Sequence, residues 1–223
     1  MIRRLIINIH FKKQIKKQII SGFTLAEVLI TLLIIGVVAS MVIPNIINDS
    51  QDAEIKTAWK KSYSDISQAT MKMISDNGGS LVNICATNDH TCFKNFYNTY
   101  FPYIKTCVNA ARDGCWANVF YSPDGTKVTS WGTSTGAILN DGTFFMPTYY
   151  DSNCEYNVFG GVPRCGDIRV DVNGMKGPNK LGKDIFSIWI LKSSLKPRGS
   201  MDDYTNDCTV NGGWGCAAKF LYQ

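Results

Sequence analysis

No acidic residue precedes Glu27, no cysteine precedes Cys85, and the 223-residue chain has only two histidines, His10 and His90. Each shortage excludes something. The acid-free beginning leaves Arg3, Arg4, Lys12, Lys13, Lys16 and Lys17 uncompensated, and the positive-inside rule keeps such a stretch on the cytoplasmic side of a membrane. Without a C-x-x-C pair, and with His90 the sole histidine beyond the basic stretch, a structural zinc site lacks ligands at the required spacing. His90 also has no recognisable nucleophile partner, and no P-loop or metalloprotease motif occurs, so no enzymatic activity is expected. The adjacent acids Asp202 and Asp203 lie in a polar segment and read as surface.

Apolar sequence is not in short supply. From residue 23 to residue 47 the chain is apolar at nearly every position. At a helical rise of about 1.5 Å per residue, a run of about 20 residues crosses the roughly 30 Å hydrocarbon core of a bilayer. This run is long enough to span it. Glu27 is the exception within it. A carboxylate in that setting costs on the order of 2.5–3.5 kcal/mol by insertion scales and calls for an ionised partner or a proton.

The string Gly22-Phe23-Thr24-Leu25-Ala26-Glu27, set between the basic leader and the apolar run, resembles the prepilin signal shared by type IV pilins and the pseudopilins of type II secretion. The resemblance covers roughly residues 15–50. It implies that prepilin peptidase removes a leader of residues 1–22 by cutting after Gly22, and that Phe23 becomes an N-methylated terminus. It also implies that Glu27 neutralises the terminal amine of a neighbouring subunit. A buried ionic group used in this way sets the register of packed helices. Gly36 and Pro44 fall where many members of the family loosen or bend the helix. The implied partners are the peptidase, other pilins in a homo- or hetero-oligomeric filament, the inner-membrane assembly machinery and the membrane itself. The implied location is the bacterial inner membrane for the precursor, with a cytoplasmic N-terminus, and an extracytoplasmic or cell-surface filament thereafter.

Other readings stay open. A secretory signal has a basic start, a short apolar core and a small-residue cleavage site. Val38-Ala39-Ser40 suits the last of these, but the run is too long for the second and contains Glu27. A plain signal anchor holding an extracytoplasmic binding or enzyme domain accounts for the run and leaves Gly22 and Glu27 without a purpose. Within the family, a minor tip pilin used for adhesion or for priming assembly is the alternative to a filament-building subunit.

The net charge of +5 reflects 23 Lys and Arg against 18 Asp and Glu, and without the leader's six cations the balance is 17 against 18. The basic character belongs to the leader. No stripe of cations with interleaved aromatics remains, so no nucleic acid partner is expected, and Lys60-Lys61 reads as a solvated helix face. All eight cysteines lie beyond the apolar run: Cys85, Cys92, Cys107, Cys115, Cys154, Cys165, Cys208 and Cys216. An even number in an exported region reads as a disulfide framework, although eight cysteines allow 105 pairings. The spacing favours neighbours, Cys85 with Cys92, Cys107 with Cys115, Cys154 with Cys165 and Cys208 with Cys216. Each such bond closes a short loop and stabilises by about 2–3 kcal/mol.

Residues 48–78 continue the helical pattern. Ile55, Trp59, Ile66, Thr70 and Met73 recur on one face and the lysines mostly elsewhere, until Asn77-Gly78-Gly79 ends the helix. Pro44 is expected to kink or locally melt it. Residues 79–223 form the extracytoplasmic domain. A short helix is expected over 95–103, ending near Pro102, followed by loop-rich sequence. Strands are expected over 136–140 and 143–148, flanking the hairpin signal Asp141-Gly142, and over 168–172 and 185–191. These strands predict an α+β domain of pilin-like ladle form, with a small antiparallel sheet against the long helix. Phe144, Phe145, Phe186 and Trp189 read as its core.

Between Asp171 and Asp184 the chain is rich in oxygen-bearing side chains. Asp171, Asn173, Asn179 and Asp184 suit calcium, which takes 6–8 oxygen ligands, although Met175 stands where an EF-hand loop has a ligand. Major pseudopilins, which the stretch resembles in this respect, carry a calcium site in a C-terminal loop. The other reading is a set of turns in which Gly and Asn adopt left-handed conformations and Asp caps strand ends. No other cofactor is expected.

Overall fold

The computed structural model describes residues 22–129, 134–157, 162–200, 208 and 212–222. The leader cations, Asp202 and Asp203 lie outside them. With Pro44 its single proline, the stretch after Thr24 forms one helix, α1 (Leu25–Asp76). Helical backbone continues through Pro44, so the chain does not melt there. In an apolar segment, exposing further backbone groups costs more than the one donor that proline removes. At the other end Gly78 and Gly79 take φ of 73° and 87°, and the Gly79 N–H donates to the Ile74 carbonyl at 2.8 Å. This left-handed cap, which a side chain would strain, stops the helix.

The chain divides into two compact units, Met1–Ile47 and Asn48–Gln223. In the first, α1 contains an 18-residue window of mean hydropathy 2.6 with none of it buried. It is long and apolar enough to cross a membrane.

In the second unit, Trp59, Ile66, Met73 and Ile74 of α1 are buried against Phe145, Ile168, Val170, Phe186 and Ile188. The Trp59 ring stacks on Phe186 with centroids 4.4 Å apart, and its Nε1–H donates to the Ala217 carbonyl at 3.0 Å. The remaining elements are α2 (His90–Asn98), β1 (Tyr103–Cys107), β2 (Val119–Tyr121), β3 (Lys127–Thr129), β4 (Gly136–Leu139), β5 (Phe144–Tyr149), β6 (Gly166–Asp171), β7 (Ile185–Ile190), β8 (Leu195–Pro197) and α3 (Cys216–Tyr222). Among the described residues they build a six-stranded sheet of order β1-β4-β5-β6-β7-β8 and a separate β2-β3 hairpin. Every strand pair is antiparallel. The class is α+β.

Two expectations need correction. The short helix begins at His90 and ends at Asn98, not at Pro102. Asp89 caps it, accepting the Cys92 N–H at 2.8 Å, and this places Phe93 and Tyr97 one turn apart on the buried face. The stretch expected to be loop also contains β1, β2 and β3. Ile104, Lys105 and Thr106 of β1 are all exposed, so this edge strand lacks the alternation that would announce it.

Four disulfides join Cys85 to Cys92, Cys107 to Cys115, Cys154 to Cys165 and Cys208 to Cys216, and no cysteine is free.

Candidate functional site

Gly22 and Phe23 lie ahead of α1 in non-helical backbone, and the Phe23 side chain is 89% exposed. Thr24 and Glu27 close on each other. The Thr24 N–H and hydroxyl both donate to Glu27 Oε2, at 2.8 and 2.9 Å, and the Glu27 N–H donates to Thr24 Oγ1 at 3.2 Å. This is a capping box, in which the first turn of a helix satisfies its own orphan donors reciprocally. The T-x-x-E spacing announces it in sequence, and a reading centred on the acid alone passes over it. Within its own chain Glu27 has a job, orienting and closing the start of α1.

The glycines tell a complementary story. A Cβ placed on Gly22 or on Gly36 would meet nothing within 4 Å, and neither backbone is in the left-handed region. A glycine inside a helix costs about 0.5–1 kcal/mol relative to alanine. Nothing in this chain's own packing requires glycine at either place.

Asp171 ends β6 and Asp184 immediately precedes β7, so the sheet carries the two acids to the two ends of one turn region. Both are fully buried. Asp184 accepts the backbone N–H groups of Asn179 and Lys180 at 2.8 and 2.6 Å, and Asp171 accepts that of Asn173 at 3.2 Å. Burial, then the nearby Asp184, push the Asp171 carboxyl up to about 8. Burial also raises Asp184, against the two backbone hydrogen bonds that favour its charged form. The Asn179 side chain lies 3.2 Å from both Asp171 Oδ2 and the Gly174 carbonyl, and with its amide nitrogen turned toward them it donates to both. The structure thus brings all four predicted residues to one buried region. There the two acids accept backbone N–H groups of the turn, and Gly174 and Asn179 take left-handed backbone, at φ 65° and 48°.

The same donors also suit a hard cation. Two carboxylates, the Asn179 amide and the Gly174 carbonyl are oxygen sources of the kind calcium takes. The Asn173 Oδ1 atom is buried without a protein hydrogen-bond partner, which leaves its lone pairs for a water or a cation. The described residues contain no group of three or more His, Cys, Asp or Glu that could hold a metal, so amide and carbonyl oxygens would have to complete the shell.

Residues 132–136 read Gly-Thr-Ser-Thr-Gly, the letters of a nucleophile elbow. An elbow turns from a strand into a helix, whereas this string leads into strand β4. Residues 177–184 read like a P-loop up to Asp184, which stands where Ser or Thr would hold magnesium, and the chain then enters strand β7. His90, the histidine within the described residues, uses Nδ1 to accept the Tyr149 N–H at 3.1 Å.

Compared with known protein families, curated proteins and solved structures, the chain matches none.

Proposed function

We propose that this chain is a structural subunit of a type IV pilus-like or type II secretion pseudopilus filament, anchored in the inner membrane as a precursor and assembled through α1 after cleavage at Gly22. The observation that carries the reading is an apolar, wholly unburied helical segment whose single acid, Glu27, sits in its first turn. Exposed apolar surface of that extent needs a bilayer or other helices around it. Exposed, non-helical backbone at Gly22 and Phe23 suits a peptidase, and a glycine the fold does not require suits a reader outside the chain. Cleavage would free an amine at Phe23, the residue next to Thr24, whose hydrogen bonds to Glu27 could be exchanged for a subunit contact. The disulfide-stapled second unit would coat the filament.

The test is intact-mass and N-terminal analysis of the chain from cells with and without prepilin peptidase. A mature species beginning at methylated Phe23, absent without the peptidase, is expected. A chain retaining Met1, or one cut near Ser40, overturns the reading and favours a tethered or secreted domain.

A second reading concerns the turn between β6 and β7, and the orphaned Asn173 oxygen favours it. Asp171, Asn173, Asn179 and Asp184 would hold a calcium ion there as a structural clasp. Calcium would raise the melting temperature of the chain and magnesium would not, since magnesium demands a tighter octahedral shell. Equal melting with calcium and with chelator leaves the turn-lock role alone.

A further inference from the structure

We propose that a basic pocket formed by α1, α3 and the turn before β7 binds the phosphate headgroup of an anionic phospholipid. Lys56 of α1, Lys180 and Lys183 of the turn and Lys219 of α3 surround a cavity of about 230 Å³, with Asp52 the one acid in its lining among the described residues. Asp52 is taken by Lys183 at 3.1 Å. Lys56, Lys180 and Lys219 have no ion-pair partner among the described residues. Asp124 also acts on Lys180 electrostatically, but its two oxygens accept the Thr126 N–H at 2.8 Å and hydroxyl at 3.0 Å.

The pocket is built, not merely crowded. The turn is held by the two backbone hydrogen bonds to Asp184. Gly182, at φ 71°, lies so close to Cys216 that no side chain fits between the turn and the Cys208–Cys216 bond. The backbone of the turn that carries Lys180 and Lys183 is thereby held against α3, which carries Lys219. A cleft lined by one sign of charge concentrates counter-ions. Among the described residues of its lining, four lysines stand against the one acid Asp52.

The shape and the place of the pocket select the anion. A nucleic acid needs a track that neutralises several phosphates in a row, and this cavity admits one. Phe220 adds an apolar wall beside the cations. Lys56 follows Ile47, the last residue of the apolar unit, by only nine positions, so for a membrane-anchored chain the anion available next to this lysine is a lipid headgroup. The inference rests on the membrane-anchored part of the function proposed above. It asks nothing about cleavage or polymerisation.

The experiment uses the full chain, disulfides intact, in a zwitterionic detergent, titrated separately with short-chain phosphatidylglycerol, short-chain phosphatidylcholine, inorganic phosphate and a short DNA duplex. Phosphatidylglycerol is expected to bind at least about tenfold more tightly than each of the others, a difference of about 1.4 kcal/mol. Lys180→Gln/Lys219→Gln should weaken it about fivefold or more, and Lys60→Gln on the exposed face of α1 should leave it unchanged. If the double variant loses its native melting transition, Lys56→Gln alone takes its place. Equal binding of the two lipids, phosphate or DNA matching phosphatidylglycerol, or insensitivity to the lysine variants overturns the proposal. Because the titration is blind to processing, its failure would leave the N-terminal mass result standing, and the reverse.

Discussion

Arg164 Nε lies 2.9 Å from Asp167 Oδ1, with both side chains almost fully buried. The guanidinium also lies over the rings of Tyr156 and Trp189, at 5.1 and 5.3 Å from their centroids. Removing one member of such a pair strands the other charge in the interior, at a cost of about 3–5 kcal/mol. Asp167→Asn should therefore lower unfolding stability in urea by that order. Replacing both residues with apolar side chains of similar volume should cost far less, since the desolvation of both charges is removed together.

Gly166 and Gly36 should respond in opposite ways to the same added methyl group. A Cβ on Gly166 would collide with the Thr148 carbonyl across the β5–β6 pair, so Gly166→Ala should separate these strands and destabilise the second unit by more than about 2 kcal/mol, measured by denaturant unfolding. Gly36 has open space around it. Gly36→Ala should leave that unfolding unchanged and raise the helicity of α1 slightly, by up to about 1 kcal/mol of helix stability. A filament defect in Gly36→Ala cells would then report on contacts between subunits, with folding excluded as its cause.

Much of this architecture is legible in the residues, and the remainder hides for physical reasons. Asp141-Gly142 marks its hairpin because the turn takes Gly142 to φ 87°, which glycine adopts without strain; β5 and β7 are apolar enough to read directly, and in β6 Ile168 and Val170 alternate with Arg169 and Asp171. β8 is Leu195-Lys196-Pro197, an edge strand whose proline looks like a strand breaker until its missing donor is seen to face no partner strand. At the N-terminus, Glu27 is conspicuous as an acid, but its hydrogen bonds to Thr24 belong to a spacing rule about helix starts. The oxygen-rich run from Asp171 to Asp184 stands out in the chain, while the complete burial of its two acids follows only from the sheet that closes over them. The lysine pocket is invisible beforehand, because Lys56 and Lys219 are brought together by tertiary packing alone.

His90 should make the fold acid-sensitive. Burial lowers its pKa below the ordinary 6.5, with Arg169 acting in the same direction and Asp89 against it. Its Nδ1 accepts the Tyr149 N–H, a bond available only to neutral imidazole. Between the lowered folded value and 6.5 the unfolded chain binds more protons, so stability contributed here is present above 6.5 and is lost as pH falls through that window. Titration of the His90 ring by NMR should give a midpoint below 6.5, and His90→Ala should remove this part of the acid dependence. A midpoint at or above 6.5 contradicts it.

Asp171 should act with the opposite sign when no cation is supplied. Its carboxyl is raised from 3.8 to about 8, so the folded chain holds a proton that the unfolded chain releases. Stability from this group is present below about 4 and is lost as pH rises toward about 8. Melting temperatures measured in chelator should show this decline in the native chain and not in Asp171→Asn. If calcium occupies the turn, it replaces the proton and its stabilisation should grow with pH, since the ligands must be ionised to bind. A calcium effect independent of pH would argue against the two acids as its ligands.

The four disulfides join residues only 7, 8, 11 and 8 positions apart. Loops this short cost little entropy to close and need no sheet to bring their ends together. As a chain emerges through a narrow pore, each cysteine meets its partner within a few residues, before the next pair has arrived, and oxidation can proceed in order along the polypeptide. Of the 105 pairings open to eight free thiols, most would then never be sampled. Maturation of this domain would depend on the order of emergence more than on a shuffling enzyme.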